Sequence, residues 1–214
     1  MSLHGSTPRR DPLTEIVLCP TTGRAQPVVE RTEPVLPTGN RVTGSRAATG
    51  LRTRAVIIDG ARKAVAASGA RITMAEIAAR AGVAKATLYN HFRTREEVLA
   101  ALLLAEIDTQ IAAVSHLRLA DALTAAALAV SEHPLLEALG EQDGTALAVL
   151  ARVDVRSAGW ARVAQATDRL LAGSGRRGTP TVLRWLSSFV IGPAGVEDIA
   201  TDVAILIAGL PPAR

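Results

Sequence analysis

The sequence predicts an all-α protein in which a group of short helices precedes a longer helical segment. Apolar residues recur at three- and four-residue spacing along most of the chain, and no segment shows the alternation of a β-strand. Two capping boxes, Thr73 with Glu76 and Thr94 with Glu97, mark the starts of two helices. Together these patterns favour helices connected by short turns over any fold that contains a sheet.

Residues 73–97 predict two short helices joined by a tight turn. Gly82 follows the first helix, where a left-handed backbone conformation is needed. The second helix is expected over Lys85–His91, with Leu88 facing inward and mostly polar side chains facing outward. Two helices connected in this way form a helix-turn-helix, in which the second helix enters a groove of DNA.

The residues of this motif resemble those of a known family. The resemblance rests on the run I-A-A-R-A-G-V-x-x-x-T-L-Y-x-H-F and on the T-R-E that follows it. These residues are similar to the DNA-binding domain of TetR-family transcriptional regulators, and the similarity runs from about Thr53 to Val98. The sequence departs from the family's pattern at Ile72, where a second threonine is usual, and at Val65, which replaces an aromatic residue. Neither departure falls on a DNA-facing position.

The resemblance implies an organisation for the whole chain. An N-terminal three-helix DNA-binding domain with the helix-turn-helix is followed by an all-helical ligand-binding and dimerisation domain. We expect an arm over residues 1–50, the DNA-binding domain over 51–97 and the second domain over 98–214. Eight further or flanking helices are expected over 53–68, 94–115, 118–131, 135–140, 145–153, 156–172, 179–191 and 196–210. Thr179 is expected to cap the helix that it begins, with Pro180 at the first position.

The same resemblance implies which side chains contact double-stranded DNA. Base edges are expected to meet the residues that open the recognition helix, namely Lys85, Ala86 and Asn90. Lysine can donate to guanine, alanine can pack on a thymine methyl group, and asparagine can pair with adenine. Phosphate contacts, which fix the register without reading sequence, are expected from Thr73, Thr87, Tyr89, His91 and Arg95. Packing at the end of the helix is the alternative role for Tyr89 and His91.

Positive charge is concentrated toward the expected DNA-binding end of the chain. Residues 1–52 carry a net charge of +3, residues 53–97 carry +4, and residues 98–214 carry −3. This distribution favours binding to phosphates, which releases condensed counterions. Residues 1–50 contain six of the eleven prolines and show no sustained helical period, so they are expected to form a flexible basic arm. The arm is either an inert extension, a start-site artefact, or a segment that reaches DNA.

The last two helices carry apolar stripes that suggest an assembly. These stripes either close the core of the protomer or pair with a second copy of the chain. In the family resembled here, the terminal pair forms a four-helix dimer interface, and two half-sites on a duplex require a dimer. We therefore expect a homodimer whose interface contains Val182, Trp185, Leu186, Phe189, Val196, Ile199, Val203 and Ile207.

A chamber for a small-molecule effector is also implied by the resemblance. We expect it between Leu103, Ile107, Ile111, Trp160 and Ala164, and few aromatic residues with a net negative charge favour a lipophilic, neutral or cationic molecule. The function expected is that of a ligand-responsive regulator, a repressor that binds a palindromic operator as a homodimer and is released by the effector. The alternative is a DNA-binding regulator that answers to a protein partner and has no small-molecule effector.

Other classes of protein find little support in the sequence. A Ser-centred elbow, an H-E-x-x-H motif and a Gly-rich phosphate loop are all missing, so an enzyme is not expected. The single cysteine, Cys19, excludes a disulfide or a cysteine metal cluster within one chain, and we expect no cofactor and no metal. No apolar run approaches the ~18 residues of a membrane span, so we expect a cytoplasmic protein that does not contact a membrane.

Overall fold

The computed structural model describes residues 42–142 and 144–213, with the side chains of residues 42–47 and of Ala70 excepted. Over these ranges it contains ten α-helices, one short 3-10 helix and no β-strand. The prediction of an all-α fold is therefore confirmed. The expected arm lies outside the described residues up to residue 41. No helix in the described part of the chain is long and apolar enough to cross a membrane.

The helices follow one another with short connections. The 3-10 helix, Gly69–Arg71, lies between the first two α-helices. In chain order the α-helices are α1 (Val42–Ser68), α2 (Met74–Ala81), α3 (Lys85–His91), α4 (Arg95–Val114), α5 (Leu119–Ser131), α6 (Pro134–Gln142), α7 (Gly144–Ala151), α8 (Ala158–Gly173), α9 (Thr179–Ile191) and α10 (Val196–Gly209).

The first helix begins earlier than the sequence indicated. We expected it to start at Thr53 and residues 42–50 to belong to the arm, but these residues are part of the helix Val42–Ser68. The Thr53 hydroxyl donates to the backbone carbonyl of Thr49 at 3.0 Å, within the helix, instead of capping a helix start. Residues 42–52 contain no proline, which would interrupt a helix, so the helix can include them.

The local signals of the helix-turn-helix form as predicted. The Thr73 hydroxyl accepts from the N–H of Glu76 at 3.2 Å, and the Glu76 carboxylate accepts from the N–H of Thr73 at 2.7 Å. The Thr73 hydroxyl also donates to the Glu76 carboxylate, at 2.8 Å, and the two bonds that this carboxylate accepts, from the Thr73 N–H and the Thr73 hydroxyl, lower the pKa of Glu76 because they favour its charged form. Gly82 ends α2 in the left-handed region, with φ of 65°. The turn that aims α3 away from α2 is thus fixed by interactions within ten residues of sequence.

The second capping box and the cap of α9 differ in detail from the predictions. Thr94 accepts from the N–H of Glu97 at 3.1 Å, but the Glu97 carboxylate accepts from the N–H of Arg93 at 2.7 Å and not from that of Thr94. Gly178, with φ of 128°, is the residue that precedes α9. Thr179 is the first helical residue, and its hydroxyl donates to the carboxylate of Asp168 on α8.

One glycine in α1 allows the first two helices to approach closely. A Cβ atom added at Gly60 would lie 2.5 Å from the Cβ and 2.6 Å from the Cα and N of Ala81. Real Cβ atoms do not come so near to backbone atoms, and α1 and α2 therefore depend on the absence of a side chain at this position.

Two hydrophobic cores stabilise the protein. The first joins α1–α3 and the start of α4 to α6 and α7, so the helix-turn-helix shares a core with helices that follow much later. Its buried residues are Ile57, Ala61, Ala64, Val65, Ile72, Ile77, Ala78, Leu88, Phe92, Val98, Leu99, Ala101, Leu102, Leu135, Ala138, Leu139, Ala146 and Leu150. The second core joins α5, α8, α9 and α10 and contains Leu119, Leu123, Ala127, Leu171, Val182, Leu186, Phe189, Ile199, Val203 and Leu210.

Candidate nucleic-acid interface and interior cavity

The recognition helix α3 is anchored by one face and open on the other. Leu88 is fully buried, and Phe92, directly after the helix, is 2% exposed. The guanidinium of Arg54 lies over the Phe92 ring, 4.2 Å from its centre, and this cation–π contact holds α1 against the end of α3. The three side chains expected at base edges, Lys85, Ala86 and Asn90, are all exposed. Arg54 was not singled out from the sequence, because its contact joins two helices that are separated along the chain.

The side chains expected at phosphates lie in different environments. Tyr89 is half exposed, whereas Thr87 and His91 are partly buried. The Thr73 hydroxyl belongs to the capping box of α2. Arg95 is partly buried at the start of α4 and forms an ion pair with Glu96 at 2.9 Å. A phosphate would have to compete with this carboxylate for the Arg95 guanidinium.

A partly open cavity of about 470 Å³ lies between α4, α5 and α8, with contributions from α6, α7 and α9. Leu103, Ile107, Ile111 and Trp160, which we expected around a chamber, line it. Ala164 does not, although we expected it there. The lining positions of α8 include Trp160, Val163 and Thr167, and Ala164 follows one step around the helix from Val163, outside that face.

Most polar groups of the cavity wall are held by bonds to the protein. The indole N–H of Trp160 donates to the carbonyl of Leu150 at 3.1 Å, and the Thr167 hydroxyl donates to that of Val163 at 2.8 Å. The Gln110 side-chain amide donates to the carbonyl of Ala125 at 3.3 Å. The cavity is thus walled by apolar side chains with a few oriented polar groups, as sites for small organic molecules are.

Two titratable residues of the cavity were not among the expected site residues. Burial lowers the pKa of His133 from its ordinary value of 6.5, and the nearby Glu106 carboxylate opposes this shift only in part. His133 is therefore neutral at pH 7, with its Nδ1 atom accepting from the N–H of Leu135 at 3.3 Å. Glu106 accepts from the Nε of Arg62 at 2.7 Å. Its place between Leu103 and Gln110 on one face of α4 was visible in the three- and four-residue spacing.

The apolar stripes of α9 and α10 face the interior of the protomer. Val182, Leu186, Phe189, Ile199 and Val203 are buried in the second core, Trp185 and Ile207 pack against it, and Val196 is exposed. Five residues of the expected interface, Val182, Leu186, Phe189, Ile199 and Val203, are thus buried within their own protomer, whereas Trp185 and Ile207 are partly exposed and Val196 is exposed. The opposite faces of the pair also carry exposed apolar residues, Ile191 and Ile205 among them.

Metal ions find no evident place in the described part of the protein, because no three His, Cys, Asp or Glu side chains there form a group that could hold one. The described part of the protein thus contains a helix-turn-helix whose recognition helix, α3, is exposed on one face. It also contains an apolar cavity that is lined in part by α4, the helix that follows α3. A protein built in this way is a DNA-binding regulator.

Comparison with known proteins agrees with this class. Residues 57–102 match the family model described as bacterial regulatory proteins, tetR family. The helix-turn-helix segment of the chain thus matches the DNA-binding domain of TetR-family transcriptional regulators, as the sequence predicted. Regulators of this family bind DNA and are generally not enzymes.

Solved structures show weaker likenesses. A putative TetR-family transcriptional regulator from Rhodococcus sp. is 22% identical, with a TM-score of 0.43, 73% of this chain covered and 97% of the other. A TetR-like transcriptional regulator from Rhodococcus sp. RHA1 is 19% identical, with a TM-score of 0.35 and coverage of 73% and 96%. An alanine-substituted mutant of the HlyIIR protein is 16% identical, with a TM-score of 0.36 and coverage of 75% and 97%. No curated protein matches the chain.

Proposed function

We propose that this regulator binds a palindromic operator as a homodimer and that a small lipophilic molecule in the cavity releases it from DNA. The observation that carries the proposal is the course of α4. Val98, Leu99 and Leu102, in its first turns, lie in the core of the helix-turn-helix, while Ile107 and Ile111 line the cavity. A molecule that shifts the second half of this helix therefore acts directly on the recognition helix.

The geometry of operators supports release by such a shift. Two half-sites on one face of a duplex lie ~34 Å apart for each helical turn, and two recognition helices must match that spacing together. A ligand that prefers a different spacing weakens DNA binding in proportion to that preference. A protein that occupies an operator without ligand and leaves it with ligand acts as a repressor. An apolar cavity favours this function over control by a protein partner alone, which requires no cavity.

The proposed dimer uses the outer faces of α9 and α10. Ile191 and Ile205, which lie opposite the buried stripes, are 63% and 68% exposed, although they are large apolar side chains. Apolar surface that is exposed on more than one helix is typical of sites that bind another protein chain. A two-fold dimer would place the same faces of two copies together and cover them. The expected four-helix arrangement is thus kept, but with the faces opposite to those that the sequence indicated.

The first prediction separates base reading from phosphate binding. The Lys85→Ala variant should lose about 1–3 kcal/mol of operator affinity and relax the preference at one base pair. The Arg95→Ala variant should weaken binding to all sequences alike and lower the slope of affinity against salt by about 1. Fluorescence anisotropy on an operator selected from random duplexes, and on a scrambled duplex, measures both. Lys63→Ala is the control, because Lys63 is an exposed lysine of α1 that pairs with Asp59. Equal losses on both duplexes for both variants would contradict the assignment.

The second prediction concerns the cavity. Ala126 of α5 lines it, and the Ala126→Phe variant should fill much of its volume without overpacking the core. We expect operator affinity to stay within about twofold, while the neutral dye N-phenylnaphthylamine loses roughly tenfold or more in affinity. Ala120→Phe is the matched control, because Ala120 is exposed on the same helix. Failure of the dye and of a broad library of hydrophobic molecules to bind or to release DNA would overturn the effector part of the proposal.

A further inference from the structure

The carboxylate of Glu106 faces two parts of the protein at once. It lies on α4 among the residues that line the cavity. Its Oε1 atom accepts from the Nε of Arg62, 2.7 Å away, and Arg62 belongs to α1 of the DNA-binding domain. Glu106 therefore connects the cavity to the DNA-binding domain through a single side chain.

This ion pair can be exchanged at small cost. Arg62 is 47% exposed and Glu106 25% exposed, and ion pairs with such access to water are weak. Arg62 also contacts a second carboxylate, that of Asp59, with 3.1 Å between its Nη1 atom and Asp Oδ1. If Glu106 turned to another cation, Arg62 would keep Asp59 as a partner. The Glu106 carboxylate, by contrast, has only Arg62 as a hydrogen-bond and ion-pair partner among the described residues.

The charges around the cavity favour a cationic occupant. Glu106 is the only acidic side chain among the described residues that line it. His133 of the same wall is neutral at pH 7 because of its burial, and it offers no competing positive charge. Arg169, the one arginine of the wall, is exposed and lies on α8. Trp160, its ring fixed by the bond to Leu150, adds an aromatic surface to the same wall.

We propose that the effector is an organic cation with an apolar body, and that its cationic group takes Glu106 from Arg62. The inference rests on the proposed function, because it names the molecule and the contact by which the cavity acts on α1. The apolar body of the ligand fills the space between Ile107, Ile111 and Trp160. Its cationic group lies at the Glu106 carboxylate, and the indole ring of Trp160 adds to the attraction for a cation in the cavity.

The exchange explains why binding and DNA release are coupled. A ligand shifts a conformational equilibrium only if it prefers one state over the other. Here the ligand competes for a group that connects α4 to α1, so its binding is stronger when that connection is open. The apolar packing between α1 and α4 then remains as the main contact between the two helices.

Three matched probes test the chemical class: decyltrimethylammonium, decanol and decanoate, which share an alkyl chain and differ in charge. Calorimetric titration of the full chain should give the tightest binding for the cation. The Glu106→Gln variant should lose about tenfold in affinity for the cation and less than about twofold for decanol. Tightest binding of decanoate would overturn the proposal and point to Arg169, and equal binding of all three would show that charge is not recognised.

The Arg62→Gln variant tests the exchange itself. If Arg62 competes with the ligand, its removal should tighten binding of decyltrimethylammonium by about threefold. If Arg62 only holds the site in shape, binding should weaken. Arg162→Gln is the matched control, because Arg162 of α8 forms a similar ion pair with Asp108 of α4, at 3.2 Å, and neither residue lines the cavity. An equal change in both arginine variants would overturn the exchange.

Operator release completes the test and separates this inference from the proposed function. Decyltrimethylammonium should release the wild-type protein from its selected operator, and saturating amounts should fail to release the Glu106→Gln variant. Release of both proteins alike would overturn the role of Glu106 while leaving an effector cavity in place. Binding of none of the three probes to the wild-type protein would overturn the effector cavity as well.

Discussion

A methyl group at Gly60 is expected to abolish DNA binding. In the Gly60→Ala variant the new Cβ would meet the Cβ, Cα and N atoms of Ala81 at 2.5–2.6 Å, and two of these atoms are backbone. The helices α1 and α2 must then separate, which disturbs the packing of Ile57 and Ile77 in the first core. We expect a loss of about 3 kcal/mol in the free energy of unfolding, measured by urea denaturation, and no operator binding in anisotropy.

The control for this variant is an alanine at Gly50. Gly50 lies in the same helix, and a Cβ there would meet no atom within 4 Å. The Gly50→Ala variant should therefore gain up to about 1 kcal/mol from the better helix propensity of alanine. A Gly60→Ala variant that gained stability in the same way would show that α1 and α2 do not approach as closely as described.

The second large effect is expected at the proposed dimer face. The Ile205→Glu variant should be monomeric, because two identical carboxylates would be buried near a two-fold axis. A monomer engages one half-site only, and we expect its operator affinity to fall by roughly a hundredfold or more. Light scattering coupled to size-exclusion chromatography measures the mass, and anisotropy measures the affinity.

Val155→Glu is the control for the dimer prediction. Val155 is also a large apolar residue at the surface, 54% exposed, but it lies in the connection between α7 and α8 and belongs to neither α9 nor α10. This variant should behave as the wild-type protein does in both measurements. A wild-type monomer, or a Ile205→Glu variant that remains dimeric, would contradict the proposed face.

The helix-turn-helix could be predicted from the sequence because its signals are local. A capping box acts within four residues, and a left-handed glycine ends the helix next to it, so the sequence alone contains both partners. The spacing of apolar residues likewise gave the approximate extent of most later helices. These features do not depend on how distant parts of the chain meet.

Features that depend on distant contacts could not be read in this way. Spacing showed that α9 and α10 each have an apolar stripe, but not whether the partner of that stripe was α5 or a second copy of the chain. For the same reason we expected Ala164 in the cavity wall, although the neighbouring Val163 lines the cavity instead. The rotation of α8 about its axis, which depends on distant contacts, decides which of its side chains face the cavity. The special role of Gly60 depends on Ala81, twenty-one residues away, and has no local signal.

The first core also bears on how such regulators can be recombined. Leu135, Ala138 and Leu139 of α6 share it with Ile57 and the helices around the DNA-reading motif, across the boundary expected near residue 97. A chimera that joins the helix-turn-helix of this protein to the second domain of another regulator would lack these α6 side chains, and its DNA-binding domain would pack against side chains of the other protein. The transferred segment would have to include α6 for the chimera to retain the original packing of the first core. Recombination at the motif boundary alone should therefore yield fewer working hybrids than recombination that carries α6 along.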